Sequence, residues 1–174
     1  GYGDIFTGLL FFGLIFLIID TINLPFLLYK TFIIEEKYGF NKTTLKTFLI
    51  DKIKGYFVIV LFGGPLISLI LYFFSNYKEA WLFSWIVIVV FSFIVQPMFN
   101  LFIAPLFNKF TPLEGGALLD KIKKYLNKVD FPVRKLEIMD GSRRSAHSNA
   151  YFSGIGKNKR IALFDTLVKK MDND

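Results

Sequence analysis

The sequence contains no cysteine, which excludes a disulfide framework, a thiolate metal site and a cysteine nucleophile. Histidine is nearly absent too: His147 is the single one. Most catalytic zinc sites draw two or three imidazoles, so this chain by itself is poorly equipped to hold a catalytic metal. No basic n-region and no small-residue cleavage site accompany the first apolar run, so it does not read as a signal peptide. Repeats and low-complexity tracts are also missing, which removes repeat arrays and compositional linkers.

What the chain has in excess is apolar surface. Its 174 residues are 53% hydrophobic and include 22 Phe, and the mean hydropathy is +0.48. That exceeds what the core of a soluble domain of this length needs, so the remainder has to face a lipid bilayer. The net charge of +7 could suggest nucleic acid. The basic residues sit beside apolar segments instead of forming one stripe, however, and aromatic and basic residues do not interleave as a stacking groove requires. They read as topology signals, with no nucleic acid partner.

Three membrane spans are expected, over about 5–29, 55–74 and 80–107. Asp20 is the costly residue of the first, and it either faces other helices or water, or snorkels to an interface. Gly63, Gly64 and Pro65 predict a kink in the second. Gln96-Pro97 and Ala104-Pro105 predict breaks where the third leaves the bilayer. Trp81, Trp85 and Tyr77 mark its first interface. Residues 30–54 carry six Lys against three acids, the turn 75–79 one of each, and residues 108–174 fourteen bases against eight acids. Two crossings separate the basic regions, so both lie on one side, and the positive-inside rule makes that side the cytoplasm, with Gly1 outside and a cytoplasmic loop at 30–54.

From Asn108 the composition becomes that of a water-soluble segment. Leu118, Leu119, Ile122, Leu126 and Val129 recur at helical spacing and predict a surface helix over Glu114–Val129, ended by Phe131-Pro132. Strands are expected at Lys135–Met139, Ser148–Ser153 and Arg160–Phe164, with a turn over Gly154–Lys159. Asp165 suits the N-cap of a helix over Thr166–Met171. Asp172-Asn173-Asp174 reads as another N-cap with no helix after it, as though the chain were interrupted. The expected fold class is therefore mainly α: multi-span transmembrane helices, then a small α+β cytoplasmic segment with a short antiparallel sheet.

Three segments carry a resemblance: IEEKYGFNKTT at Ile34–Thr44, IAPLFNKFTPLE at Ile103–Glu114, and MDGSRRSAHSNAYFSGIGKNKRIALFDTL at Met139–Leu167. Together with the order of the spans, they make the chain resemble the type I CAAX prenyl endopeptidases, integral-membrane zinc proteases of the H-E-x-x-H class. The third segment is the specific one, and the resemblance covers nearly the whole chain. It implies a membrane region over 1–107 and an incomplete peptidase domain over 108–174. It also implies substrate held along a strand edge, which here falls on His147, Ser148, Asn149, Ala150, Tyr151 and Phe152. The substrates so implied are prenylated C-terminal peptides or membrane-associated polypeptides. The cofactor is zinc in the full-length protein, held by an H-E-x-x-H helix that the resemblance puts roughly a dozen residues beyond Asp174. No ligand and no catalytic residue is assigned within this chain, so the fragment alone is expected to be inactive. The membrane would be a bacterial inner membrane or the endoplasmic reticulum. The alternative class is a non-enzymatic membrane anchor or adapter from a truncated or degenerate homologue.

Several features also have plainer readings. His147 either contacts substrate or supports the zinc site, or it hydrogen-bonds a turn. Arg143 and Arg144 could attract a carboxylate, but the favoured reading is a solvated or headgroup-facing pair. Glu35-Glu36-Lys37 reads as a loop charge cluster capped by Gly39, not as acid–base machinery. Gly154-x-Gly156 lacks the following Lys-Ser/Thr and helix of a phosphate loop. The sequon Asn41-Lys42-Thr43 is idle if it is cytoplasmic.

Overall fold

The computed structural model describes residues 2–154 and 156–170. They form two compact units: Gly1–Glu35 with Leu45–Gln96, and Glu36–Thr44 with Pro97–Asp174. The N-cap expected at 172–174 and Met171 of the last predicted helix lie outside the described residues.

The first unit is helical. Helix α1 (Tyr2–Tyr29) continues through a π turn at Lys30–Ile34 into α2 (Glu35–Lys37). Helix α3 (Leu45–Val58) passes through a second π turn, Ile59–Gly63, into α4 (Gly64–Asn76), and α5 (Ala80–Met98) follows. Three stretches are long and apolar enough to cross a membrane: Gly3–Lys37, Leu45–Asn76 and Ala80–Met98, of 35, 32 and 19 residues. This is an integral membrane architecture, as composition demanded. Helical structure runs past the apolar runs, so of the loop expected at 30–54 only 38–44 is non-helical.

Proline placement explains two of the π turns. Pro65 follows the turn at Ile59–Gly63, and Pro105, in α6 (Ala104–Phe107), follows a third at Phe99–Ile103. In a regular helix each ring would collide with the carbonyl four residues back, on Leu61 and Leu101. Both carbonyls lie in wide turns that give the ring room, so the helix continues instead of ending. The irregularity expected at Gly63–Pro65 is therefore present, whereas the breaks expected at Gln96-Pro97 and Ala104-Pro105 are not: the chain stays helical to Phe107.

Within this unit α1 meets α4 at Gly8, where a Cβ would lie 2.6 Å from Leu71 Cδ1. Tyr77 packs against Phe73 and Phe83 at the α4–α5 turn, and Trp81 and Trp85 stand exposed beside it. Asp20 faces inward to α3. Its carboxylate accepts from Lys52 Nζ at 2.7 Å and from the Tyr56 hydroxyl at 2.5 Å. That settles its two open placements in favour of the helix-facing one.

The second unit is a four-stranded sheet in the order β1-β2-β4-β3, with β1 Phe110–Pro112, β2 Lys135–Met139, β3 Ala150–Ser153 and β4 Arg160–Phe164. The sheet is mixed, which corrects the expectation of a wholly antiparallel one. β1 on β2 and β3 on β4 are antiparallel, but β2 and β4 run parallel, with Lys135 opposite Arg160 and Met139 opposite Phe164. The cause is that residues 140–149 carry the chain past one strand position. The β3–β4 hairpin then folds back and inserts β4, not β3, beside β2.

Alternation sorts the faces. Glu137, Met139, Tyr151, Arg160, Ala162 and Phe164 share one side; Leu136, Phe152, Ile161 and Leu163 share the other. On the first, Met139 and Ala162 are buried, and the Arg160 guanidinium pairs with Glu137 at 2.5 Å while lying 3.6 Å over the Phe110 ring. On the second lies α7 (Ala117–Lys128), starting after Gly116 and shorter than the predicted Glu114–Val129. Two open hollows of about 720 and 570 Å³ flank it, the first floored by Ile161 and Val168, the second by Phe131 and Leu136.

Candidate functional site

The expected site segment, His147–Phe152, leads into and forms most of β3. This strand has β4 on one side and no strand on the other among the described residues. Sequence placed its start at Ser148; the ladder begins at Ala150.

Strand register fixes which backbone groups point where. The Phe164 N–H donates to the Asn149 carbonyl at 2.9 Å, and Tyr151 lies opposite Ala162. In an antiparallel pair both main-chain groups of one residue point the same way, and the direction alternates. Asn149, Tyr151 and Ser153 therefore bond inward to β4, and Ala150 and Phe152 present their N–H and C=O outward. The outward N–H of Ala150 is met by the Asn149 side chain, Oδ1 accepting at 2.8 Å. The amide thus covers part of an otherwise open edge, one of the ways natural sheets blunt such edges.

The side chains divide in the same way. Ala150 and Phe152 are exposed, Phe152 at 66%, with its ring edge-on to Phe131 at 5.7 Å. Tyr151 turns inward, its hydroxyl 3.9 Å from Met139 Sδ and its ring against Phe164. Burial raises its phenol above the ordinary tyrosine value; Arg160 pulls the other way and Glu137 adds to the rise.

Two polar clusters fix the segment ahead of the strand. The Asp165 carboxylate accepts from the Ser142 N–H at 2.8 Å, the Ser142 hydroxyl, and the Thr166 N–H at 2.9 Å. Burial alone would raise its pKa, but these donors outweigh burial and hold it below the ordinary carboxylate value. Asp165 opens α8 (Asp165–Val168), close to the predicted N-cap role, and the Thr166 hydroxyl donates to the His147 carbonyl at 2.8 Å. The second cluster belongs to Arg144. Its guanidinium donates to Asn108 Oδ1 at 3.0 Å and to the Phe107 carbonyl at 2.6 Å. Arg144 is thus half-buried and structurally engaged, which corrects the reading of Arg143-Arg144 as a solvated pair; Arg143 alone is exposed.

The segment 40–43 completes the surroundings. Lys42 N–H donates to the Arg144 carbonyl and Ala146 N–H to the Phe40 carbonyl, forming a short antiparallel bridge centred on Asn41 and Ser145. Phe40 stacks on the His147 imidazole, ring centroids 4.0 Å apart and planes within 18°. Asn41 of the sequon is buried, its amide donating to Glu36 Oε2 at 2.9 Å. Gly39, at φ 73°, closes the turn after Glu36 as expected, but Glu35–Lys37 is helical where a loop was expected. Sequence pairing could not foresee Phe40 against His147, because no local pattern links positions so far apart.

The described residues do not suit a catalytic zinc. No three of their His, Cys, Asp or Glu side chains gather around one point, so they supply no ligand set for the metal by themselves.

Apolar spans followed by a helix-flanked mixed sheet with β3 at one of its edges define an integral membrane polypeptide carrying an α/β module. Comparison with known proteins makes this specific. Residues 1–109 match the model of the CAAX prenyl protease N-terminal region, described as five membrane helices, and residues 112–174 match peptidase family M48. The chain belongs to the CAAX prenyl protease family of M48 metallopeptidases. It is 43% identical over 164 residues to the CAAX prenyl protease 1 homolog of Homo sapiens, covering 91% of this chain and 34% of that protein. To CAAX prenyl protease 1 of Saccharomyces cerevisiae it is 42% identical over 171 residues, covering 96% and 37%. The crystal structure of S. mikatae Ste24p superposes with a TM-score of 0.89 at 40% identity, over 96% of this chain and 39% of that one. The chain therefore spans about a third of the length of the curated relatives it matches.

Proposed function

We propose that this chain is the membrane region, 1–107, and the opening part, 108–174, of the peptidase domain of a zinc metalloendopeptidase that cleaves prenylated C-terminal peptides or other membrane-associated polypeptides. The outer edge of β3 is the docking rail. An extended peptide adding to it would bond to the outward N–H and C=O of Ala150 and Phe152, gaining affinity from main-chain groups with little demand on its sequence. The observation that carries this reading is the Asn149 Oδ1 bond to Ala150 N–H: the edge is kept from indiscriminate pairing by a single amide that an incoming carbonyl can replace at no net loss of hydrogen bonds. Ser148, like Ala150, is small and exposed, leaving room for a second backbone, and His147 stands at the entrance to the rail. The zinc ligands and the general base come from outside these residues, and the second unit lies in the cytoplasm.

The test is substitution of the outward donor in the full-length enzyme. Ala150→Pro removes that N–H, and KM for a prenylated peptide should rise about tenfold, the worth of one main-chain hydrogen bond at an edge. An unchanged KM in a folded Ala150→Pro enzyme would discard the rail. Residues 1–174 alone should show no metal-dependent peptidase activity, and measurable turnover by them would contradict the division of labour.

A further inference from the structure

The membrane unit holds a polar cluster that the proposed chemistry leaves unused. Between Ile5 and Tyr29, Asp20 is the only charged residue of α1. Apart from Thr7, Thr21 and Asn23 the rest of that stretch is apolar on all sides, so its apolar surface does not mark one face or one height as the place to meet a neighbour. In lipid this matters more than in water, because burying one apolar face in place of another gains little.

Two contacts bracket the pairing of α1 with the continuous α3–α4 helix. Gly8 lies against Leu71, and the Phe32 and Phe48 rings meet edge-on at 5.7 Å. The partners are antiparallel, and interpolation between those contacts puts Asp20 roughly level with Ile59. Lys52 and Tyr56 lie about two turns and one turn away toward the start of α3. Both nonetheless reach Asp20, at 2.7 and 2.5 Å, and the Lys52 ammonium passes 5.3 Å from the Tyr56 ring centroid. A lysine near the end of a membrane helix ordinarily extends toward the headgroups. The Lys52 ammonium is instead engaged by the carboxylate of the neighbouring helix, and the Phe16 and Tyr56 rings close the cluster at 6.0 Å.

We propose that Asp20, Lys52 and Tyr56 form a register lock that selects one axial alignment of α1 against α3. The lock sets which alignment forms, not whether the helices associate. Polar groups enclosed among apolar ones contribute little net stability, yet any slide by one turn would leave a carboxylate and an ammonium unpaired in lipid. Apolar alternatives to this alignment are thereby excluded at small cost to the alignment itself.

Cross-linking in membranes tests this, and these 174 residues contain no cysteine of their own to compete with thiols introduced into them. Phe32→Cys with Phe48→Cys reads the observed register; Phe32→Cys with Leu45→Cys reads a slide of about one turn. With a short bis-thiosulfonate reagent, the first pair should react about tenfold faster than the second in the otherwise natural chain. In Asp20→Leu/Lys52→Leu/Tyr56→Phe the sum of both products should persist while the ratio falls to about one. The exchange Asp20→Lys/Lys52→Asp should keep the natural ratio. A preserved ratio in the triple variant, or a lost ratio in the exchanged one, overturns the lock. Should the triple variant fail to accumulate, the exchanged chain alone decides.

Discussion

The two units solve the same problem, holding one geometry among many, with opposite means. In the membrane unit most side chains are apolar, and position is marked by a missing side chain at Gly8 and by the polar cluster around Asp20. In the second unit, side chains clip backbone repeatedly: Asp165 to Ser142 and Thr166, Arg144 to Phe107, Thr166 to His147. The difference follows from the solvent. Water rewards alternation of apolar and polar residues across a sheet and tolerates exposed donors, so many weak clips can be spread over a surface. Lipid rewards neither, so few and expensive polar contacts carry the specification.

Adding one methyl group to a glycine in each unit sharpens that contrast, and gives the largest expected effect. At Gly154 φ is 95° and a Cβ would meet the Asn158 carbonyl oxygen at 2.4 Å, so backbone must move. Gly154→Ala should destabilise the β3–β4 hairpin by about 3 kcal/mol, read as loss of amide hydrogen-exchange protection in β3 and β4. At Gly8 the obstacle is the tip of Leu71, which can rotate away. Gly8→Ala should cost below about 1 kcal/mol in thermal unfolding of the detergent-solubilised chain. Equal costs would mean that the membrane unit is packed as rigidly as the sheet.

Asp165→Asn comes next, at about 2 kcal/mol, since the amide replaces an acceptor of three donors. Its pH signature separates charge from shape. The folded pKa is depressed, so the contribution is present above the unfolded carboxylate pKa of about 4 and is lost as pH falls through the folded value. Unfolding temperatures of the natural chain should drop in that acidic window, and Asp165→Asn should flatten the drop. An identical pH dependence in both would assign the window to other carboxylates. The smallest effect is Phe40→Ala, about 1 kcal/mol from the lost ring stack, visible as a change in the His147 imidazole resonances. Unaltered resonances would show that the bridge at Asn41 holds that segment without the ring.

The sequence was legible where local chemistry decides and silent where distant chemistry does. β2 and β4 occupy the predicted residues, because each alternates cleanly between turn signals. β1 escaped notice because Pro112 argues against a strand; it is tolerated since β1 is at the edge of the sheet. The parallel pairing of β2 with β4 has no local signature at all. Asp20 was visible as an anomaly, but its partners lie on another helix. Arg144 looked like any basic residue beside a turn until Asn108 and the Phe107 carbonyl were brought to it. The spans were evident from composition, while their helical extensions into charged sequence were not, because lysines at a helix end need no lipid to remain helical. Of the candidate site, the segment was readable from the HSNAYF pattern; the direction of each backbone group was not, since that depends on register.

The π turns carry a further consequence. Each holds one residue more per turn than the helix around it, so everything downstream is rotated by about 100° relative to an uninterrupted helix. At Ile59–Gly63 that surplus residue determines which side of α4 looks back toward α1, and hence that Leu71 is the residue meeting Gly8. Angular phase along this long helix is therefore written in residue count, and a one-residue deletion there would turn α4 to a different neighbour while leaving every side chain of α3 in place.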